Sequence, residues 1–202
     1  MTQEERAATI KRYEQRLAQH GKSAQALGWR DQKQQWLRFD ILSQIAPLDD
    51  AKILDVGCGF GDFYVYLKER GIRADYTGYD IVPSLLDIAK EQHPDARFEL
   101  RDITTEAPIE QFDYVFSSGI LNHKIQDNMA FARTLITKCF EYATKGAAIN
   151  MMTSYVDFRD DYLYYYSPEE IFSFVKSLTR FAALRHDYAL YEFTIHLYHE
   201  KG

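Results

Sequence analysis

Three glycines at alternate positions, Gly57, Gly59 and Gly61, follow directly on the apolar run Ile53-Leu54-Asp55-Val56. Glycine lets a chain turn sharply and lets the backbone approach a bound molecule closely. A helix beginning just beyond such a turn offers free N–H groups. Asp55 precedes the first glycine by two positions, and a carboxylate there suits a cationic ligand better than a pyrophosphate. Asp80 closes a second apolar run, Tyr76-Thr77-Gly78-Tyr79, where an acid can accept both hydroxyls of a ribose. Asp102 closes a third, where its carboxylate or its own N–H can meet an adenine edge.

A second group of residues could act on a reactant. Beyond a fourth run, Phe112-Asp113-Tyr114-Val115-Phe116, comes Ser118-Gly119-Ile120-Leu121-Asn122-His123-Lys124. His123 is the candidate base, since an unperturbed imidazole titrates near ~6.5, and Asn122 can orient an acceptor. The competing reading has His123 capping the next helix or lying in solvent. Six aromatic residues crowd between Tyr155 and Tyr166. In that stretch Tyr155, Asp157 and Arg159 are the substrate candidates, because tyrosines give rigid walls with polar tips and arginine clamps a carboxylate. The plainer alternative is a loop packed over the edge of the core. Arg185-His186-Asp187 reads as strand, whose neighbouring side chains point to opposite faces, so His186 and Asp187 are not expected to pair. His196 and His199 fail as a metal pair for the same reason. No cluster has zinc-ligand spacing, and no metal is expected.

The elements that must position these groups follow from periodicity. Residues 4–20 read as a polar helix with Ile10, Tyr13 and Leu17 on one face, stopped by Gly21. A second helix runs from Asp31 to Pro47 with Leu37, Ile41 and Ile45 along one side. From Lys52 onward strands (52–56, 74–79, 97–100, 112–118, 147–152) alternate with helices, each stopped or started by glycine or proline. Ser167-Pro168-Glu169-Glu170 has the form of a capping box. Two closing strands, 181–188 and 191–199, make a hairpin in which Phe193, Ile195 and Leu197 alternate with Thr194, His196 and Tyr198. Alternating β and α units predict a doubly wound, mostly parallel seven-stranded sheet with a C-terminal antiparallel hairpin. Residues 1–46 form an N-terminal helical extension, and 47–202 the ligand-binding domain.

Bulk properties exclude several classes. The 202 residues suit one domain, and 46% hydrophobic with 27% charged residues is the composition of a globular protein. A formal charge of −6 gives no general positive field for nucleic acid. A stripe of Lys11, Arg12, Arg16, Lys22, Arg30, Lys33 and Arg38 keeps a macromolecular substrate in view, although a solvated helix face explains the same charges. Two cysteines, Cys58 and Cys139, make no disulfide framework. A charged N-terminus without an apolar core, and no apolar run near ~20 residues, point to a cytoplasmic protein with no membrane span.

The segment Ile53–Gly61 resembles motif I of the class I S-adenosylmethionine-dependent methyltransferases. Gly78-Tyr79-Asp80 resembles their ribose-binding motif, Asp102-Ile103 their adenine-side motif, and Phe112–Phe116 their fourth strand. The nicotinamide fingerprint G-x-G-x-x-G is the rival, and this turn lacks its third glycine. The resemblance implies a Rossmann-like methyltransferase fold over about 52–199, with S-adenosylmethionine as donor and S-adenosylhomocysteine as product. It implies that Asp55, Gly57, Gly59 and Gly61 adjoin the methionyl part and that Asp80 and Ile81 hold the ribose. Asp102 and Ile103 would flank adenine, with Ser118 and Gly119 at the methionine end. Residues 1–46 would form a lid placing Tyr13, Trp29 or Trp36 over the donor. Absence of an N-P-P-Y tetrapeptide or a Pro-Cys nucleophile counts against nucleic-acid bases as acceptors. The expectation is a methyltransferase acting on oxygen or nitrogen of a small polar acceptor; a macromolecular acceptor, or a non-catalytic donor-binding subunit, is the alternative.

Overall fold

A computed structural model describes residues 1–200. Short β-branched and aromatic runs form seven strands: β1 Lys52–Val56, β2 Asp75–Asp80, β3 Arg97–Leu100, β4 Phe112–Ser117, β5 Ala143–Met152, β6 Phe181–Arg185 and β7 Glu192–Tyr198. They make one sheet in the order β3-β2-β1-β4-β5-β7-β6. The first five are parallel, and β7 enters antiparallel between β5 and β6. The strand order reverses at β1 and β4, so the switch-point crevice opens at their carboxyl ends.

The period of two along each strand separates two cores. Leu54, Val115, Ile149, Phe193, Ile195 and Leu197 face helices α5 (Asn128–Tyr142) and α6 (Pro168–Leu178). Ile53, Phe116 and Ala148 face the other way, onto α2 (Gln32–Ser43), α3 (Asp62–Glu69) and α4 (Pro83–Gln92). The alternation in β7 is therefore not inside against outside. Thr194 and His196 are buried as fully as their neighbours, because α2 covers that face, and His196 Nε2 bonds to the Ile41 carbonyl at 3.1 Å.

Helix α1 (Gln3–His20) has no fully buried residue. It starts at a reciprocal cap, with Thr2 Oγ1 accepting from Glu5 N–H and Thr2 N–H donating to Glu5 Oε2. Its apolar face, Ile10, Tyr13 and Leu17, packs on a small cluster of Ala26, Phe60, Val82 and Leu85. Polar ties pin it further: Gln126 N–H donates to Glu5 Oε1 at 2.7 Å, and Arg6 Nε lies 3.4 Å from Asp102 Oδ2.

Several boundaries differ from expectation. Helix α2 ends at Ser43, before Pro47, and β5 begins at Ala143 rather than Ala147. Ser167 caps α6 by accepting from Glu170 N–H, but its hydroxyl donates to Glu169, so the box is only half made. Strand β6 stops at Arg185. His186 and Asp187 thus lie outside the strand, and Asp187 pairs with Arg185 at 2.9 Å.

Candidate active site

A cavity occupies the switch point. Its floor is the β1–α3 turn (Asp55, Gly57, Cys58, Gly59) and the ends of β2 and β4 (Asp80, Ile81, Ser118, Gly119). Asp102 and Ile103 wall one side, and His123 and Ile125 the other. The roof is N-terminal: Thr9 and Tyr13 of α1, then Leu27, Trp29, Gln35 and Phe39. The turn works through a left-handed backbone at Gly57 (φ 76°), where an added Cβ would lie 2.7 Å from the Ile120 side chain.

Asp80 is buried with both oxygens engaged. Gly59 N–H donates to Oδ2 and Val82 N–H to Oδ1, each at 2.9 Å. Burial pushes its pKa up and the backbone bonds oppose that. Each oxygen keeps a further lone pair for a ribose hydroxyl. Asp55 lies beneath the turn and accepts from Tyr76 Oη at 2.8 Å. Burial raises its pKa to about 7, against the Tyr76 bond.

Asp102 turns mostly toward its own loop. Oδ1 accepts from both Thr104 N–H and Thr104 Oγ1, and its N–H already donates to Glu106 Oε1. The expectation that this N–H serves an adenine edge is corrected. Ile103 reaches the cavity as an apolar wall. Ser118 Oγ is buried without a partner, a polar atom awaiting a ligand. Apolar walls, an acid with spare lone pairs and an orphaned hydroxyl fit an adenosyl ligand.

Four further expectations meet a different geometry. Gly61 precedes α3 as its N-cap at φ 81°; the space a Cβ would take is filled by Phe98 and His93, and Gly61 does not line the cavity. Trp36, on α2, packs half-buried and edge-on against Tyr66 at the margin of the core, whereas Trp29 lines the cavity. Asn122 sits in a short 3₁₀ turn with its Oδ1 buried, unpartnered and off the cavity wall. Tyr155, Asp157 and Arg159 are exposed. Tyr155 bonds to Glu169, and Arg159 reaches the Ser154 carbonyl and the Tyr165 ring. The tyrosine-rich loop does approach the site, but through its backbone farther along. Lys124 N–H donates to the Tyr162 carbonyl, and Tyr164 N–H to that of Asn122.

His123 neither caps a helix with its ring nor lies in solvent. Its imidazole packs 6.3 Å from both Tyr13 and Tyr162. Burial, then the charges of Arg12 and Arg16, lowers its pKa to about 4. It is neutral near pH 7 and a weak base.

A polar chain lies behind the Gly119 turn. Gly119 N–H donates to Asn150 Oδ1 at 3.1 Å, and Asn150 Nδ2 to Glu192 Oε2 at 3.0 Å. Arg38 Nε meets both Glu192 oxygens at 2.9 Å. The Arg38 guanidinium also stacks 4.3 Å from the Trp29 ring. Arg38 is thus no part of a solvated basic stripe. The signals were readable: Arg38 falls at helical spacing with Ile41 and Ile45, and Asn150 interrupts an apolar strand.

Comparison with known proteins follows this geometry. The methyltransferase-domain family profile matches residues 53–141. A Mycobacterium tuberculosis protein, Rv1506c, assigned as a methyltransferase, is 36% identical over 159 residues, 73% of this chain and 92% of its own length. This chain belongs to the class I S-adenosylmethionine-dependent methyltransferases. Trans-aconitate 2-methyltransferase of Variovorax paradoxus is 35% identical over 83 residues, covering 41% of this chain and only 32% of that enzyme. The magnesium protoporphyrin IX methyltransferase of Synechocystis PCC 6803, solved with its methyl donor bound, superposes with a TM-score of 0.63 at 14% identity. It covers 83% of this chain and 80% of that one, and shares the fold. This methyltransferase therefore uses S-adenosylmethionine and yields S-adenosylhomocysteine. No helix among the described residues is long and apolar enough to cross a membrane.

Proposed function

We propose that this methyltransferase acts in the cytoplasm on an oxygen or nitrogen of a small polar acceptor. The observation that carries the reading is the roof: Tyr13, Leu27 and Trp29 line the crevice from the N-terminal side, which favours a compact acceptor. The acidic chain supports the same choice against nucleic acid.

Asp80 and Ile81 hold the ribose in this reading, Asp102 and Ile103 border adenine, and Asp55, Gly57, Gly59, Ser118 and Gly119 adjoin the methionyl part. S-adenosylmethionine supplies a sulfonium methyl group; an acceptor lone pair forms the new bond as the C–S electron pair passes to sulfur, and any O–H or N–H proton of the acceptor leaves to solvent. The protein's own work is positioning, worth up to ~7–11 kcal/mol through effective molarity. Tyr13 and Trp29, as a lid of residues 1–46, exclude water and fix the approach. Neutral His123 serves as a hydrogen-bonding wall of the acceptor space.

Calorimetric titration with S-adenosylmethionine, S-adenosylhomocysteine and NAD tests the donor site. Micromolar binding of both adenosyl ligands and none of NAD is expected. Labelled-methyl assays with small acids, amines and phenols, beside RNA and protein, then test the acceptor. Turnover confined to the macromolecules would replace the small-acceptor reading.

A further inference from the structure

Helix α1, whose Thr9 and Tyr13 line the cavity, also carries a cation with no partner. Helix α1 lays Thr9 and Tyr13 along the wall, and Arg12 and Arg16 follow them at three-residue steps on the same face. Arg12 Nη1 is buried without a hydrogen bond, and among the described residues no carboxylate pairs with this side chain. Leaving a buried guanidinium nitrogen unmatched costs free energy, and a ligand offering oxygen lone pairs removes that cost. Arg16 is already fixed, its Nε and Nη2 bonded to the carbonyls of Ala26 and Gln25, yet its charge remains.

His123 stands opposite, its ring between Tyr13 and Tyr162. Both guanidiniums act on that imidazole, so their charge is felt at His123, although neither is itself a lining residue of the cavity. Of the three acids on the same helix, Glu5 is turned to the Gln126 and Thr2 backbone N–H groups, and among the described residues neither Glu4 nor Glu14 forms an ion pair with Arg12. Arg12 and Arg16 give this face of α1 positive charge, while the cavity floor carries Asp55 and Asp80. Arginine matches carboxylate and phosphate with a planar fork of donors.

We propose that the acceptor carries an anionic group, a carboxylate or a phosphate, and that Arg12 binds this group beside His123. The inference rests on the methyl-transfer reading above and assigns the acceptor's chemical class. It moves the anion clamp from the exposed Arg159 to the half-buried Arg12.

The test begins by saturating the protein with S-adenosylhomocysteine; failure of that step counts against the donor reading alone. The loaded protein is then titrated calorimetrically, at constant ionic strength, with succinate, inorganic phosphate and uncharged succinamide. Saturable binding of succinate or phosphate, with none of succinamide, is expected, and the better anion identifies the group. Arg12→Gln should weaken that binding about tenfold or more, and Arg12→Lys should retain part of it. Thermal unfolding and S-adenosylhomocysteine titration of both variants ensure that folded, loaded proteins are compared. No saturable binding of either anion to the loaded wild type, or equal binding to Arg12→Gln, overturns the proposal.

Discussion

Arg38 of α2 and Glu192 of β7 form a forked ion pair, Nε at 2.9 Å from both carboxylate oxygens and Nη2 at 2.5 Å from one. Their side chains are 8% and 3% exposed. The pair fastens the N-terminal layer to the hairpin, and through Asn150 it reaches the Gly119 turn. Removing one partner strands the other charge in the interior, which typically costs ~3–5 kcal/mol. Arg38→Met should lower unfolding stability by about that amount, and adding Glu192→Gln should recover part of it. Urea denaturation of the two single variants and the double variant measures this; additive losses would show that the pair is not coupled.

Asp80 has two tasks. Its oxygens bind the Gly59 and Val82 N–H groups and so shape the turn, and their spare lone pairs face the cavity. Hydrogen bonds to a charged group are worth ~1.5–3 kcal/mol, so Asp80→Asn should weaken S-adenosylhomocysteine binding by about ten- to a hundredfold. Asp80→Ala should weaken it further and also lower the melting temperature. Calorimetry beside thermal unfolding separates the two effects; unchanged affinity in a folded Asp80→Ala would remove this residue from the ribose.

The part of the cavity around the glycine turn was legible because it depends on local backbone chemistry. A strand, a glycine turn and acids at strand ends are contiguous patterns, and they identified Asp55, Gly57, Gly59 and Asp80 as cavity residues. The rest of the site depends on which segments meet across the fold. The tyrosine loop was rightly brought near the site, but strand-like pairing of Leu163 with His123 places Tyr162 there and leaves Tyr155 and Arg159 outside. Charge counting missed Arg38, because a helix covering a sheet buries its cation where a partner such as Glu192 waits. Arg12 escaped for a similar reason: its environment comes from the roof contact, which no local period encodes.

Gly119 tests how closely the roof sits. It adopts φ 80°, and an added Cβ would lie 2.5–2.7 Å from the Trp29 ring. Gly119→Ala should therefore cost both left-handed strain and overpacking, each about 1–3 kcal/mol. Because the clash is with Trp29, the variant should also shift tryptophan fluorescence. Combining it with Trp29→Ala should recover the overpacking part of the stability loss, not the left-handed strain, and should not recover donor affinity. A Gly119→Ala protein with unaltered fluorescence and donor binding would mean that Trp29 stands clear of this turn.

Asp55 makes the ligand-free protein sensitive to pH. Its pKa rises to about 7 in the fold, mainly through burial, whereas an unfolded aspartate titrates near ~3.9. Between those values the folded state holds a proton that the unfolded state has released. Stability from this group therefore falls as pH rises through that window, and the loss is complete above about 7. Asp55→Asn should flatten that slope, so its stability relative to wild type should rise from pH 4 to 8 and then level. A donor whose ammonium or sulfonium lies near Asp55 favours the carboxylate, so donor affinity should increase with pH over the same interval in wild type. The variant should lose that dependence. Urea midpoints and calorimetric affinities from pH 5 to 8 decide both points, and parallel curves for the two proteins would show that Asp55 does not titrate there.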